Sequence, residues 1–218
     1  MQLLGNKTVI RHTYDATVAT KLFDLVIVVT DSDIIYNEIT THGGKAVMSK
    51  QSHASGSDRI AEVIADMDVD VIINVQGDEP FIKKEPLEKL VRLFDDSSVQ
   101  VGSLMRKIED NRELHNSSSV KVVVNKKNDA LYFSRSVIPF AANTTIDTPY
   151  FLHIGVYGFR RETLLNFTHW PSTKLEQVEK LEQLRYLENG IFIRMALVDF
   201  KSVAIDTPED LARAENLL

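Results

Sequence analysis

The sequence contains no cysteine, so thiolate catalysis, a disulfide framework and every cysteine-containing zinc site are excluded. Glycine and proline are sparse, at 9 and 6 residues, which excludes collagen-like and low-complexity chains. Bases are not in excess: 25 Lys and Arg stand against 31 Asp and Glu, a net charge of −6. A nucleic-acid coat runs on a basic surface, so no nucleic-acid partner is expected. The longest unbroken aliphatic run, Leu25 to Val29, is far too short to span a bilayer, and no membrane partner is expected. The opening MQLLGNKTVIRH lacks a charged segment followed by an apolar one, so a cytoplasmic location is expected.

What remains is 218 residues of globular composition, 44% hydrophobic and 26% charged, expected as a single domain over 1–218. Residues 8–20 have helical periodicity. Asp24 to Thr30 and Val69 to Val75 are continuous apolar runs of the kind buried on both faces of a parallel sheet. Helices are expected from Ser32 through Thr40, over Ser57 to Met67, over 84–94 and over Leu175 to Glu188. The alternation implies βαβ units. Between Gln100 and Arg160 strand-like segments dominate and imply a mixed or antiparallel extension of the sheet. Thr207-Pro208-Glu209-Asp210 has the cap, the proline and the acids of a helix start.

Several segments carry possible chemistry. NVQGDEP (74–80) puts two carboxylates in the turn after a buried strand, where open α/β sheets bind ligands and where Mg²⁺ finds hard oxygen donors; an ordinary turn is equally compatible. AIDTPEDL (204–211) holds Asp206, which the cap at Thr207 does not require. HASGSDR (53–59) offers small residues before a helix N-terminus, suited to phosphate or a polar ring edge. It is not a GxxxxGK[ST] loop. YFSR (132–135) places Arg135 at a strand end, where a guanidinium can grip a carboxylate. In HIGVYGFR (153–160), His153 and Tyr157 share a face. LEQVEKLEQLR (175–185) carries Glu179, Lys180, Glu182 and Gln183, which cannot all face solvent or all face the core. GxSxG, HExxH and GxGxxG are absent, and His12, His42, His53, His115, His153 and His169 show no metal-ligand spacing.

Taken in order, VQGDEP, KVVVN, ALYFSR, HIGVYGFR, LEQLR and DTPEDL resemble the CMP-Kdo synthetases, the 3-deoxy-manno-octulosonate cytidylyltransferases, over nearly the whole chain. CMP-sialic acid synthetases share the fold, but YFSR, HIGVYG and LEQLR are more similar to the Kdo enzymes. The resemblance implies a three-layer α/β/α nucleotide-diphospho-sugar transferase (Rossmann-like) fold, with a mostly parallel sheet and a mixed or antiparallel extension used for homodimerisation. It implies CTP and Kdo as substrates and CMP-Kdo and pyrophosphate as products, for lipopolysaccharide synthesis. It further implies Mg²⁺ held by Asp78 and Asp206, with Ser55, Gly56, Arg59 and Gln76 at the nucleotide. Arg135 would lie near the acidic group of the sugar and share in catalysis, with His153, Tyr157, Glu182 and Gln183 lining the sugar pocket.

The match begins at Met1-Gln2-Leu3-Leu4-Gly5, just after the point where the family carries a first strand and a loop resembling PARxxSxRxPGKPL. That loop grips the triphosphate with its bases. The expectations are an unpaired edge on the Asp24–Thr30 strand and an impaired 218-residue chain. A late start, a truncated piece or a non-catalytic shortened homologue would each account for the difference, and another sugar acid such as sialic acid is the alternative substrate. Phe140 stands where the family has Trp, Leu152 where a base is common and Lys174 where Pro is usual; the 141–149 loop is short. Pyrophosphate release by the 218-residue chain, measured beside a version preceded by a family phosphate loop, checks the impairment: only the loop-bearing version is expected to turn over.

Overall fold

The computed structural model describes residues 1–53, 55–201, 204–205 and 207–218. Along the chain run β1 (Leu3–Leu4), β2 (Lys7–Thr8), α1 (Val9–Ala19), β3 (Val28–Thr30), α2 (Asp33–Thr41), β4 (Ala46–Met48), α3 (Gly56–Ile64) and β5 (Val71–Asn74). There follow α4 (Lys84–Arg92), β6 (Val101–Lys107), α5 (Asn111–His115), β7 (Lys121–Val124), β8 (Ala130–Ser134) and β9 (Phe151–Arg160). Helices α6 (Arg161–Phe167), α7 (Lys174–Glu179) and α8 (Leu184–Glu188), strand β10 (Ile193–Leu197) and helix α9 (Pro208–Glu215) complete the chain. The fold is α/β, and its contacts divide it into two compact units, one of 1–70, 75–88 and 202–218, the other of 71–74 and 89–201.

In the first unit β3 and β4 pair in parallel through Val28–Ala46, Val29–Val47 and Thr30–Met48. The apolar run from Asp24 gives strand only in its last three residues, because β4 is the one ladder partner among the described residues and is itself three residues long. The opposite edge of β3 carries no ladder among the described residues, as expected. Gly43, at φ +79°, ends α2 in the left-handed region that glycine enters without steric cost. A small core of Leu4, Val9, Ile205 and Ala214, with Phe81 and Leu211 against it, joins the β1–β2 hairpin to α9. Helix α9 starts as its sequence predicts. Thr207 Oγ1 accepts from Asp210 N at 3.2 Å, the Asp210 carboxylate accepts from Thr207 N at 2.9 Å, and Pro208 opens the helix.

The second unit is built on a six-stranded mixed sheet in the order β10-β6-β9-β7-β8, with β5 also on β9. Only β6 and β10 run parallel in it; β5–β9, β6–β9, β7–β8 and β7–β9 are antiparallel. Strand β9 is the shared element. β6 covers one edge along its length, while β5 takes 157–160 and β7 takes 151–152 of the other. The first six residues of β6 are buried, the polar Ser103 and Arg106 among them. Behind the sheet Phe159, Tyr186 and Phe167 stack, with ring centroids 5.8 and 4.5 Å apart.

The single helix expected from Leu175 to Glu188 is two helices. Lys180, at φ +53° in the left-handed region, separates them. The cause lies in the sheet: Arg135 Nε donates to Glu179 O at 2.8 Å and its Nη2 to Lys180 O at 3.3 Å, taking carbonyls that would otherwise feed the next helical turn.

Gly158 pairs with Gly102 across β6–β9, and a Cβ at Gly158 would lie 2.5 Å from Phe94 Cε2 and 2.9 Å from Ile73 Cδ1. Replacing Gly158 by Ala is therefore expected to destabilise the fold by about 1–3 kcal/mol, the usual range for overpacking, as read from urea unfolding.

Candidate active site

The first unit holds the carboxyl end of β3 and the turn after β5. Ser55 caps α3, its Oγ accepting from Asp58 N at 3.2 Å and donating to Asp58 Oδ2 at 3.0 Å. Gly56 begins the helix in open space: a Cβ there would meet nothing within 4 Å. Arg59, one turn further, pairs through Nη2 with Asp31 Oδ2 at 2.7 Å, tying α3 to the residue that follows β3. The segment before Ser55 is fastened by a contact that sequence reasoning missed. Glu62 accepts from Lys50 N at 2.8 Å with one oxygen and binds His53 Nε2 with the other. The His53 hydrogen bond is the largest influence holding the Glu62 carboxyl below its usual range. The only signal in the sequence was a Glu one helical face away from the HASG segment.

In the turn after β5, Glu79 N donates to Gln76 O at 3.2 Å and Thr13 Oγ1 donates to Gly77 O at 3.0 Å. Gly77 has no room for a side chain, since a Cβ would lie 2.6 Å from Ile10 Cδ1. Ile205 N donates to Asp78 O at 3.0 Å, so the backbone just before Asp206 in sequence is joined to the turn that bears Asp78. Asp206 itself lies outside the described residues. Among the described residues no group of three or more His, Cys, Asp or Glu is arranged to hold a metal.

The second unit gathers the remaining predicted residues. His153 and Tyr157 lie on β9 with ring centroids 5.2 Å apart, although residues four apart on an unbroken strand are separated by about 13 Å. A register shift explains the approach. Ser103 pairs with Tyr157 but Leu104 pairs with Ile154, so Gly155 and Val156 bulge out of the β6 ladder. Phe133 closes on the other face of His153, edge-on at 5.1 Å. Burial pushes the imidazole down to about 3, so His153 is neutral at physiological pH. Burial first, and the nearby Glu182 carboxylate second, push the Tyr157 phenol well above its ordinary value. Glu182 thus lies near Tyr157, and the buried Gln183 follows it at the start of α8.

Arg135 is anchored at every part. Its N donates to Glu179 Oε2 at 3.0 Å, its Nε and Nη2 bond the α7 carbonyls already described, and Nη1 donates to Ser117 O at 3.0 Å. The Arg135 carbonyl accepts from Lys121 Nζ at 2.5 Å, and the same ammonium donates to Asn116 O at 2.9 Å and Ser119 O at 2.5 Å. Lys121 is fully buried, and burial draws its pKa down, with the Arg135 charge adding to the effect. Glu179 also accepts from Ser134 Oγ at 2.6 Å. Three of the five guanidinium N–H groups are thus committed to backbone carbonyls, and the arginine is held in place before any ligand arrives. Sequence patterns gave no warning of the Lys121 role, because lysine is ordinarily read as solvated, and marked Glu179 only as one of four polar residues that cannot all face solvent.

His153 gives a pH dependence with a definite sign. Its folded-state pKa lies below that of the unfolded chain, so the unfolded state binds more protons between about pH 6.5 and 3, and stability falls as pH falls through that window. Between pH 6.5 and 5.5, above the titration of the carboxylates in the unfolded chain, the expected slope rises from about 0.7 to about 1.2 kcal/mol per pH unit. Urea unfolding of His153→Gln should lack this slope.

Comparison with known proteins matches this arrangement of segments. The cytidylyltransferase family model matches residues 1–199. The chain is 53% identical over 221 residues to the 3-deoxy-manno-octulosonate cytidylyltransferase of Flavobacterium johnsoniae, covering 100% of this chain and 91% of that protein. The corresponding protein of Christiangramia forsetii is 48% identical, with 100% and 89% covered. Among solved structures, a CMP:2-keto-3-deoxy-manno-octonic acid synthetase complexed with CTP superposes with a TM-score of 0.94 at 38% identity, covering 99% of this chain and 89% of that one. With a family model over most of its length and full-length relatives at this identity, the chain belongs to the 3-deoxy-manno-octulosonate cytidylyltransferase family.

Proposed function

We propose that the protein transfers the cytidylyl group of CTP to Kdo. The anomeric hydroxyl of the sugar attacks the α-phosphorus, pyrophosphate leaves and CMP-Kdo forms, the activated sugar for lipopolysaccharide. The observation that carries this reading is the full-length match, at 53% identity, to a 3-deoxy-manno-octulosonate cytidylyltransferase. The architecture of each unit supports it.

In the first unit Ser55, Gly56, Arg59 and Gln76 bind the nucleotide. The open backbone at Gly56 and the start of α3 suit a polar ring edge or phosphate, and the Asp31 ion pair holds Arg59 in one direction. Asp78 and Asp206 would hold Mg²⁺, which when bound neutralises phosphate charge; the Ile205–Asp78 main-chain bond supports their pairing. In the second unit Arg135 meets the sugar carboxylate with its remaining N–H groups. His153, Tyr157, Glu182 and Gln183 serve the hydroxyls, which need both donors and acceptors. Lys121 and Glu179 do not meet substrate; they hold Arg135. Catalysis in such a site rests on positioning and on charge placed before the reaction begins.

The protein works as a homodimer in the cytoplasm. Leu131, Phe140 and Ile146, exposed by 60%, 88% and 62% in β8 and the segment after it, support an interface on the sheet extension. No helix among the described residues is long and apolar enough to cross a membrane. Replacing Phe140 by Asp is expected to yield a monomer by sedimentation; an unchanged dimer would remove Phe140 from the interface.

The activity is tested by incubating CTP and Mg²⁺ with Kdo or with sialic acid, and identifying the product by mass spectrometry. The assay uses the 218-residue chain and the version preceded by a family phosphate loop. CMP-Kdo is expected, with Asp78→Asn lowering turnover on the order of a hundredfold. CMP-sialic acid as the main product would change the substrate. Normal turnover by Asp78→Asn would remove the carboxylate from the metal.

A further inference from the structure

Ser103 is fully buried in β6, at the point where the β6–β9 register breaks. Its hydroxyl touches three groups: His153 Nε2 at 2.9 Å, Val156 O at 2.9 Å and Ile154 O at 3.3 Å. A serine hydroxyl has one proton to give and two lone pairs with which to accept. The two carbonyls have no proton of their own. If the hydroxyl gave its proton to the imidazole, an oxygen with nothing to donate would face Val156 O at hydrogen-bond distance in a buried site, at the cost of an unsatisfied acceptor. The proton therefore goes to the carbonyls of the bulge, and the contact with the ring requires Nε2 to be the donor.

The ring is held as well as oriented. Phe133 and Tyr157 flank it at 5.1 and 5.2 Å, so it cannot turn over without displacing an aromatic neighbour. Burial keeps it neutral, and no charged group contributes to that effect. A neutral imidazole carrying its proton on Nε2 has a lone pair on Nδ1. Among the described residues Nδ1 makes no hydrogen bond.

We infer that Ser103 is a positioning residue for His153: by accepting from Nε2–H it selects one tautomer, so that Nδ1 is offered as a fixed hydrogen-bond acceptor to a hydroxyl of the sugar acid. This rests on the cytidylyltransferase reading for the identity of the ligand and on the geometry alone for the tautomer. The bulge supplies the two parts of the device. It frees the carbonyls that take the serine proton, and it contracts β9 so that Tyr157 closes over the ring. Tyr157, whose phenol stays protonated, is a donor beside this acceptor, so the pair distinguishes the two ends of a hydroxyl network.

The test is long-range ¹H–¹⁵N correlation NMR on the uniformly labelled full chain, without ligand and then with Kdo. The result expected for wild type is a single Nε2–H tautomer for His153 that does not titrate between pH 5 and 8, with Nδ1 shifting when Kdo binds. A Nδ1–H ring, or a mixture of tautomers, would overturn the inference, and this measurement depends on no variant folding. In Ser103→Ala the ring is expected to sample both tautomers, and calorimetry should show Kdo affinity falling about tenfold, the equivalent of one lost hydrogen bond, with CTP affinity unchanged. A variant that keeps the single tautomer, or keeps wild-type Kdo affinity, sinks the role of Ser103. If the wild-type chain binds Kdo but shows the other tautomer, this inference fails and the proposed activity stands. If Kdo binds neither to the 218-residue chain nor to the version preceded by a family phosphate loop, the activity fails and the ligand half of the inference with it.

Discussion

Strand β9 is the constraint on which the second unit depends. It alone bonds to β5, β6 and β7, so any change in its register is transmitted to both edges. The break at Gly155–Val156 is tolerated because the carbonyls it removes from the ladder are met by the Ser103 hydroxyl, which keeps buried polar groups satisfied. The same break brings His153 and Tyr157 into contact. A regular strand would have separated them and left two isolated polar side chains among apolar neighbours. Local irregularity of the backbone is thus the means by which a sheet surface becomes a pocket wall.

Arg135 plays a comparable part at the far end of the sheet. A guanidinium is rigid and forked, and here it reaches across to the last carbonyls of α7. That capture divides what would be one long helix and leaves Glu182 and Gln183 in the short connection before α8. Glu179 and Lys121 fix the arginine's own amide and carbonyl. A buried ammonium with three carbonyl partners and a carboxylate with amide and hydroxyl donors are costly groups to desolvate. They are retained because each is satisfied by hydrogen bonds. The binding group is then rigid before a ligand arrives, which lowers the ordering cost of recognition.

The first unit works by simpler means. A capped helix start and the Arg59–Asp31 pair fasten α3 to the end of β3, while a glycine wedged against Ile10 and a main-chain bond from Ile205 fix the turn that carries Asp78. The carboxylate–imidazole contact between Glu62 and His53 adds a clamp on the loop leading into α3. Each piece is local chemistry.

Sequence alone determined the parts governed by local rules. The alternation of apolar runs and amphipathic segments gave the α/β class, and the Thr207–Asp210 box with Pro208 marked a helix start. These depend on interactions within a few residues and are written in the order of the chain. The collinear motifs also gave the family, because a series of short segments retains its order even where each is ambiguous. Tertiary structure decided what depends on partners distant in sequence. The split of the 175–188 helix comes from an arginine some 45 residues away. The contact of His153 with Tyr157 comes from a bulge that periodicity cannot register. The burial of Lys121 and the tautomer of His153 follow from carbonyls and a hydroxyl whose nearness no pattern along the chain encodes. A hydrogen bond has no sequence signature until the fold has brought its two ends together.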